Sequence, residues 1–427
     1  MAMFRRRAVA WLQVIARFLL LGLSAVALPA VAGDSVVLTL AEAQRLALVE
    51  QPALALGAAK VRALRDDSVA AEQLPDPQLI AGVTQLPVED DEAFSLREDD
   101  FTALSVGFSQ EFPRAAKRQL RAAALEQQAR AGELGLAAAE REVQLQAGLA
   151  YLDVAAAAQG ARLLDLLTAE AGKQKSVRGI ALIAGQGSQA DQLAAAVEAE
   201  VLADQGRALR QRELAGRAEL ARWIGATAAD RPLPDDLPAL PAPPPLNALL
   251  AKLADHPQLA GPAATVRIAQ TEARLAGLAA SPDWRIEMRY DHRLEFPDLV
   301  TLMVGVDLPF FTGDRQDRSS SAARARVVVE TAKQDDQLRE AAAKVTSAYR
   351  QWRSGTDRLG RYDDSLLPQS QLRIQSALAA YQSGGGTLTT VLDARRSLLD
   401  VELMRLDLAV DVARDRLRLQ YFEPGVQ

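Results

Sequence analysis

The sequence predicts a mostly α-helical chain with a transmembrane β part, arranged as two tandem repeats that each supply long antiparallel helices and two strands. Three observations predict it. First, Trp284, Ile286, Met288 and Tyr290 alternate with Arg285, Glu287, Arg289 and Asp291. After a charged break at 293–298, Val300, Leu302, Val304, Val306 and Leu308 alternate with Thr301, Gly305 and Asp307. A period of two with one apolar and one polar face describes a strand with one side in oil and the other in water. Each run has about ten residues, which crosses a bilayer when tilted. Second, residues 114–178 lack proline and are rich in Ala, Leu, Glu, Gln and Arg, the composition of one long helix. Third, the same order of elements recurs about 200 residues further on. The two strands alone would equally suit a half-buried hairpin on a soluble core.

Bulk properties exclude several classes. Mean hydropathy is −0.04 over 427 residues, too low for a bundle of membrane-spanning helices. A transmembrane barrel would not register in that average, because half of each strand is polar. There is no cysteine, hence no disulfide, thiolate metal site or lipid-bearing cysteine. The two histidines, His256 and His292, are too few for a metal cage. Arg5, Arg6, Arg7 and Arg17 precede the apolar run 18–28, and Ala30-Val31-Ala32 supplies a small-x-small cleavage site. Residues 1–32 therefore read as a signal peptide; an uncleaved anchor would need nearer twenty apolar residues. Removing its four arginines takes the formal charge from −6 to −10. An exported acidic protein is a poor partner for nucleic acid.

The first repeat, 33–230, opens with the capping box Thr39-Leu40-Ala41-Glu42 and a helix expected to run to about Glu72. Leu74-Pro75-Asp76-Pro77 stops it. Strands are expected at about 78–87 and 102–112, the second with Leu104, Val106 and Phe108 on its apolar face. A long helix over 113–179, a glycine break and a helix over 188–225 complete the unit. Seven prolines between Arg231 and Pro245 mark 231–245 as a stiff extended linker. The second repeat, 246–427, repeats the plan: a helix over 246–280, strands at about 283–293 and 300–310, a long helix over 313–382 and a helix over 387–421. Gln51-Pro52 is echoed by His256-Pro257, Val106-Gly107 by Val304-Gly305, and Trp223-Ile224 by Tyr421-Phe422.

In each repeat the long helix is about as long as the two shorter ones placed end to end. Paired rods of about 100 Å would result at 1.5 Å per residue. Pro368 falls inside the second long helix, where a kink or a lost hydrogen bond is expected. The abundant alanine fits either close lateral packing or plain helix propensity.

Four short strands cannot close a membrane barrel, and an open edge in lipid is forbidden. Other copies must complete the wall, giving eight strands from a dimer, twelve from a trimer or sixteen from a tetramer. Arg285, Glu287, Arg289 and Asp291 would then line the lumen. Trp284, Ile286, Met288, Leu104, Val106, Phe108, Leu302 and Val304 would meet outer-membrane lipid.

The signal peptide, the duplicated helix-strand-strand-helix-helix plan, Val106-Gly107 through Phe112-Pro113, and Thr387 through Leu392-Asp393-Ala394 together resemble the TolC-like outer-membrane efflux family over residues 36–422. Leu74-Pro75-Asp76-Pro77, Leu86-Pro87-Val88 and Gln110-Glu111-Phe112-Pro113-Arg114 look most like its heavy-metal cation efflux branch. The resemblance implies a homotrimer with a twelve-stranded barrel and a periplasmic α-helical barrel. It implies an exit duct in the outer membrane of a Gram-negative bacterium, working with an inner-membrane RND transporter and a periplasmic adaptor (membrane fusion) protein. Many relatives carry a lipidated cysteine that this chain lacks.

The resemblance also implies that the far turns of the helical hairpins form the periplasmic mouth. Gly185, Gly187, Ser188, Gly384, Gly385, Gly386 and Thr387 would be adaptor-docking tips, and Asp393, Thr390 and Asp191 would stand at the pore mouth. Asp393 matches a ring position of the family, whereas Thr390 stands where relatives often have a second aspartate. Read without the resemblance, the glycines are turn residues and the two aspartates stabilise helix dipoles in a first turn. No nucleophile–base pair, phosphate loop or metal spacing is present, so no catalytic residue, cofactor or metal site is expected. The competing readings are a duct for drugs or type I protein secretion, and a periplasmic coiled-coil adaptor or scaffold.

Overall fold

The computed structural model describes residues 37–49, 51–89, 91, 93–185 and 188–423. The expected signal peptide and Gly187 lie outside the described residues, as does the side chain of Asp191.

Thr39 caps the first helix, α1 (Leu40–Leu46), by accepting a hydrogen bond from the Glu42 amide at 3.3 Å. Helix α2 (Pro52–Glu72) follows after an elbow. One helix over 40–72 was expected; Pro52 divides it, because its ring lacks an N–H and would clash with the carbonyl four residues back. The proline is tolerated at the first position of α2, behind Gln51. Strands β1 (Gln78–Thr84) and β2 (Ala103–Phe112) lead into helix α3 (Ala115–Ile183), which runs unbroken for 69 residues, slightly beyond the expected 113–179. Helices α4 (Gln189–Ile224) and α5 (Ala226–Ala229) end this half.

The second half opens with α6 (Leu246–Ala251), a 3-10 turn (Leu253–Asp255) and α7 (Pro257–Gly277). The helix expected over 246–280 is thus divided at Pro257, as α1 and α2 are at Pro52. Strands β3 (Trp284–His292) and β4 (Leu299–Val306) follow, the latter ending four residues before the expected 310. Next come α8 (Gln316–Arg361), a π turn (Tyr362–Leu366), α9 (Leu367–Gln382) and α10 (Leu388–Tyr421). The helix expected over 313–382 starts later and is interrupted. The π turn lies immediately before Pro368 and takes up the missing hydrogen bond and the ring's bulk with one wide turn.

The four strands form one antiparallel sheet in the order β1-β2-β3-β4. Its central pair joins the two halves, with Phe112 opposite Trp284 and Leu104 opposite His292. Both outer strands are open edges among the described residues.

Beside the sheet, α3 is the rod against which α2, α4, α7 and α10 pack. Its buried positions are mostly alanine and glycine, including Ala129, Ala147, Gly148, Ala155 and Gly160. Alanine here serves close approach of helices as well as propensity. The same holds between α8 and α10, where a Cβ added at Gly355 would stand 2.5 Å from Val412. The largest core cluster gathers Leu38, Tyr151, Leu152, Val154, Leu220 and Leu417, with Leu233, Leu237 and Leu240 from the proline-rich segment against it. That segment is fastened rather than free. Pro232 accepts from the Leu38 amide at 2.9 Å, Arg231 grips Glu42 through two bonds of 2.9 and 3.0 Å, and Arg217 donates to the carbonyls of Ala229 and Arg231. The hydrogen bond from Arg231 holds the Glu42 carboxyl below its ordinary range.

Candidate functional site

The strand alternation places most large apolar residues of the sheet on one face, with Ile80, Leu299 and Met303 on the other. Register carries Leu79, Phe108, Met288 and Leu302 side by side across all four strands, and Ala81, Val106, Tyr290 and Val300 in the next such row. Leu104, Val106, Phe108, Trp284, Ile286, Met288, Leu302 and Val304 are each 40–68% exposed. A sheet face of that composition would bury its side chains in a soluble core. Among the described residues, this one is covered by nothing.

Arg285, Glu287, Arg289 and Asp291 lie together on the opposite face. Two ion pairs run over this face, one between strands and one within β3. Arg285 pairs with Glu111, and Arg289 lies 3.2 Å from Asp291. Asp291 also accepts from Ser105 and from Thr301. Glu287 lies between Ser109 and Met303 in register. Charge-assisted pairs are geometrically specific, so the charged side chains of this face are held in fixed places.

At the end of the sheet remote from the helices, Asp298 collects Tyr290, the His292 ring at 2.9 Å and the Arg293 amide at 3.1 Å. Arg293 reaches across to the Asp100 carbonyl at 2.9 Å, tying the two strand-connecting loops. His292 is therefore held at the end of β3, beside the strand-connecting loop. Asp298 was not singled out from sequence; its place five residues after Arg293 in a charged loop gives no signal of the partners it gathers.

The near ends of β2 and β3 are anchored to the rods. Lys117, 7% exposed, donates to Asp283 and to the Ser281 carbonyl, both at 2.7 Å. Burial pushes the Asp283 carboxyl up, but the bonds from Lys117 and the Arg114 amide outweigh it and hold the group low.

The opposite ends of the rods carry the hairpin turns. Gly185 and Gly384 adopt φ of +72° and +76°, a left-handed conformation that suits glycine at a helix C-terminus. The Gly384 and Gly385 amides return to the carbonyls of Tyr381 and Ala380 at 3.1 and 3.0 Å. Gly386 is tight for another reason: an added Cβ would lie 3.1 Å from the Ala380 backbone. Thr387 caps α10, accepting from the Thr390 amide at 3.2 Å, and the two hydroxyls are 2.9 Å apart. Thr390 thus completes a cap in the place expected for a pore-mouth group. Asp393 is exposed, while Val391, Leu392 and Ala394 around it are buried. Ser188 precedes α4 and its carbonyl accepts from the Gln192 amide at 3.3 Å.

Behind the tips, ion pairs bind the two hairpins together. Arg395 of α10 reaches Glu170 of α3 at 2.7 Å, and Arg396 reaches Glu198 of α4. Burial raises the Glu170 carboxyl, but bonds from Arg395 and Lys173 prevail and lower it. These pairs join residues some 200 positions apart, so sequence gave no means of finding them. Among the described residues no group of His, Asp and Glu is gathered to hold a metal ion, and no helix is long and apolar enough to cross a membrane.

The site is thus a sheet with one exposed apolar face and one charged face, unpaired at both edges among the described residues, joined to helices of about 100 Å. Residues 251–421 match the family model described as "Outer membrane efflux protein". No curated protein sequence matches the chain. Among solved structures, CusC, whose crystal structures concern conformational changes accompanying folding and transmembrane channel formation, superposes with a TM-score of 0.75 at 17% identity, covering 91% of this chain and 93% of that one. The outer membrane protein VceC of Vibrio cholerae gives 0.75 at 17%, covering 91% and 97%. The CmeC outer membrane channel of Campylobacter jejuni gives 0.75 at 12%, covering 90% and 85%. At such identities the likeness is one of fold. The second repeat thus carries the signature of outer membrane efflux proteins, and the fold throughout is that of outer-membrane channels.

Proposed function

We propose that the chain is one subunit of an outer-membrane exit duct in a tripartite efflux pump. Three copies close a twelve-stranded barrel, and their paired helices continue it into the periplasm. An RND-type inner-membrane transporter delivers cargo through a periplasmic adaptor that docks at Gly185, Gly187, Ser188, Gly384, Gly385, Gly386 and Thr387. The observation that carries this reading is the sheet: exposed apolar residues on one face, charged residues on the other, and two unpaired edges. Neither edge can face lipid without a partner strand, so neighbouring copies seal the wall. The apolar face meets lipid, and Arg285, Glu287, Arg289 and Asp291 line the lumen. The family match over 251–421 favours an outer-membrane duct over an adaptor or scaffold, which would need no such sheet.

Heavy-metal cations are the proposed cargo, supported by the segments 74–77, 86–88 and 110–114 and by the exposed Asp393 beside the second tip. A deletion strain should become sensitive to metal cations; sensitivity to drugs alone, or loss of a secreted protein, would reassign the cargo. The processed protein should be recovered with outer membranes and migrate in a heat-modifiable oligomeric form, whereas a water-soluble monomer without β signal would overturn the duct. Asp393→Ala should raise single-channel conductance and lower cation preference, on the order of several-fold, because a symmetric mouth would lose one focusing charge per subunit. Unchanged recordings would remove Asp393 from the mouth.

A further inference from the structure

In the half of the molecule nearest the sheet the rods stand in a single row. Helix α2 packs on α3, α3 on α7 and α7 on α8, while α2 and α8 do not touch each other, so these two are the edges of the row. Heights along the row follow from its contacts. A Cβ added at Gly132 of α3 would meet Val61 of α2 at 2.9 Å, and Ser68 of α2 donates to the Ala122 carbonyl at 3.0 Å. On the other side, Gly355 of α8 lies against Val412 of α10, and Arg414 of α10 reaches Asp153 of α3. Gly355 is therefore level with Val154. Helices α3 and α8 both run away from the sheet, and their first residues, Ala115 and Gln316, keep the same offset. At 1.5 Å per residue, Ala332 of α8 then stands level with Ala63 of α2, and Val328 about one turn nearer the sheet.

Both edges carry charges that their own subunit leaves unpaired. On α2, Asp66 and Asp67 lie nearer the sheet, and Lys60 and Arg62 further from it. On α8 the signs are reversed, with Arg324 and Arg326 nearer and Asp335 and Asp336 further. All eight are exposed, and among the described residues none forms an ion pair. Other charges of the same helices find partners within the chain, as Lys333 does with Glu330 at 2.8 Å and Arg65 does with Glu133. By the heights above, the acids of α2 are level with the arginines of α8, and the bases of α2 with its aspartates.

We propose that the α2 edge of one copy docks on the α8 edge of the next, Asp66 and Asp67 facing Arg324 and Arg326, and Lys60 and Arg62 facing Asp335 and Asp336. The occupant of each edge is a second copy of this chain, and the inference rests on the outer-membrane duct proposed above. A closed ring joins each edge to its opposite, so the two must be complementary rather than alike. Two α2 edges, or two α8 edges, would bring like charges together at equal height, which excludes the wrong pairing. The exposed alanines at 59 and 63 allow close approach, and Val328 and Val329, 69% and 49% exposed, fill the seam. The order of signs also sets the register, because a slide of about three turns would set Asp66 and Asp67 against Asp335 and Asp336.

Charge reversal tests the pairing in the detergent-solubilised protein. Asp335→Lys with Asp336→Lys should raise the concentration at which the oligomer half dissociates roughly tenfold or more. Lys60→Glu with Arg62→Glu should do the same, and the four changes together should restore the parental value. No weakening, or weakening without restoration, would overturn the proposed pairs. A second measurement uses the absence of native cysteine. Ala63→Cys is combined with Ala332→Cys or with Val328→Cys. Within one chain these positions lie across the whole row, roughly 25 Å apart, beyond the ~7 Å that a disulfide spans. Oxidation should therefore link separate copies into a ladder ending at the trimer. An oligomeric parent with no ladder from either pair would overturn this interface and leave the duct standing. A monomeric parent would overturn the duct and the interface with it.

Discussion

The long helix of the first repeat and its counterpart in the second follow one plan but occupy different surroundings. Helix α3 is continuous for 69 residues and buries residues from Lys117 to Gln174 against neighbours on several sides. Helix α8 has few buried positions, chiefly Ala323, Ala341, Val345, Ala348 and Gly355, and leaves Val328 and Val329 exposed. The counterpart is also broken, by the π turn before α9. The rod packed on several sides within the chain is small-sided and uninterrupted. The one at the margin keeps apolar residues that nothing in its own chain covers, and it tolerates a proline. Substitutions in the two rods should therefore fail in different ways.

The largest effect is expected inside. Tyr151 of α3 is 1% exposed and its hydroxyl donates to the Leu38 carbonyl at 3.1 Å. Tyr151→Ala empties the centre of the main cluster and orphans that carbonyl, so a loss of about 3–5 kcal/mol is expected. Urea unfolding of the detergent-solubilised protein measures it; a loss below ~1 kcal/mol would show that α3 is not the organising rod. At the margin, Val328→Asp should leave subunit secondary structure intact and shift the oligomer toward monomer in light scattering. An unchanged oligomer would mean that this face stays in water.

The two elbows extend the comparison. Gln51 and His256 occupy equivalent places before Pro52 and Pro257, yet only His256 caps its helix through the side chain. Its Nδ1 accepts from the Gln258 amide at 3.3 Å, and Nε2 lies 2.8 Å from the Tyr421 carbonyl, to which it donates when Nδ1 accepts. Burial pushes the imidazole down to about 4, aided by the nearby Arg141 charge and opposed by the bond to Tyr421. The folded value lies below the unfolded one, so the neutral ring contributes stability that is present above about pH 6.5 and is lost as pH falls toward 4. A fall from 6.5 to about 4 corresponds to ~3 kcal/mol. His256→Asn keeps an N-cap acceptor and removes the titration; its urea midpoint should be flatter between pH 7 and 4 than that of the parent. Parallel curves would exclude His256 as the source.

Much of this architecture is legible in the chain because it is local. Strand alternation assigns each face of β2, β3 and β4, Thr39 announces α1, and Pro368 announces the irregular turn. The elbows are also marked, by Pro52 and Pro257, but the helical composition on either side conceals them. What cannot be read is pairing at long range. Periodicity says that β2 and β3 each have an oily face, not that Phe112 lies opposite Trp284. Composition calls 231–245 a spacer, whereas Leu233, Leu237 and Leu240 fasten it to the core.

The smallest effect concerns the bulge that distinguishes the marginal rod. Two accounts of it differ in outcome. If the proline alone maintains the π turn, Pro368→Ala should let α8 and α9 fuse into one regular helix. If the extra residue is required by packing, the bulge should survive, because Asp363 within it is held by Arg405 of α10 through bonds of 2.6 and 3.2 Å. Closing the turn would rotate α9 by about 100° relative to α8 and break that pair. The Arg405 guanidinium is raised above its ordinary range chiefly by the hydrogen bond to Asp363, which outweighs the opposing effect of burial. Survival is therefore expected, with a gain below about 1 kcal/mol from the restored backbone donor and relieved ring contact. Hydrogen exchange over 362–368 decides it, since a persistent π turn keeps these amides faster than their counterparts in α3, and slow, uniform exchange would assign the bulge to the proline alone.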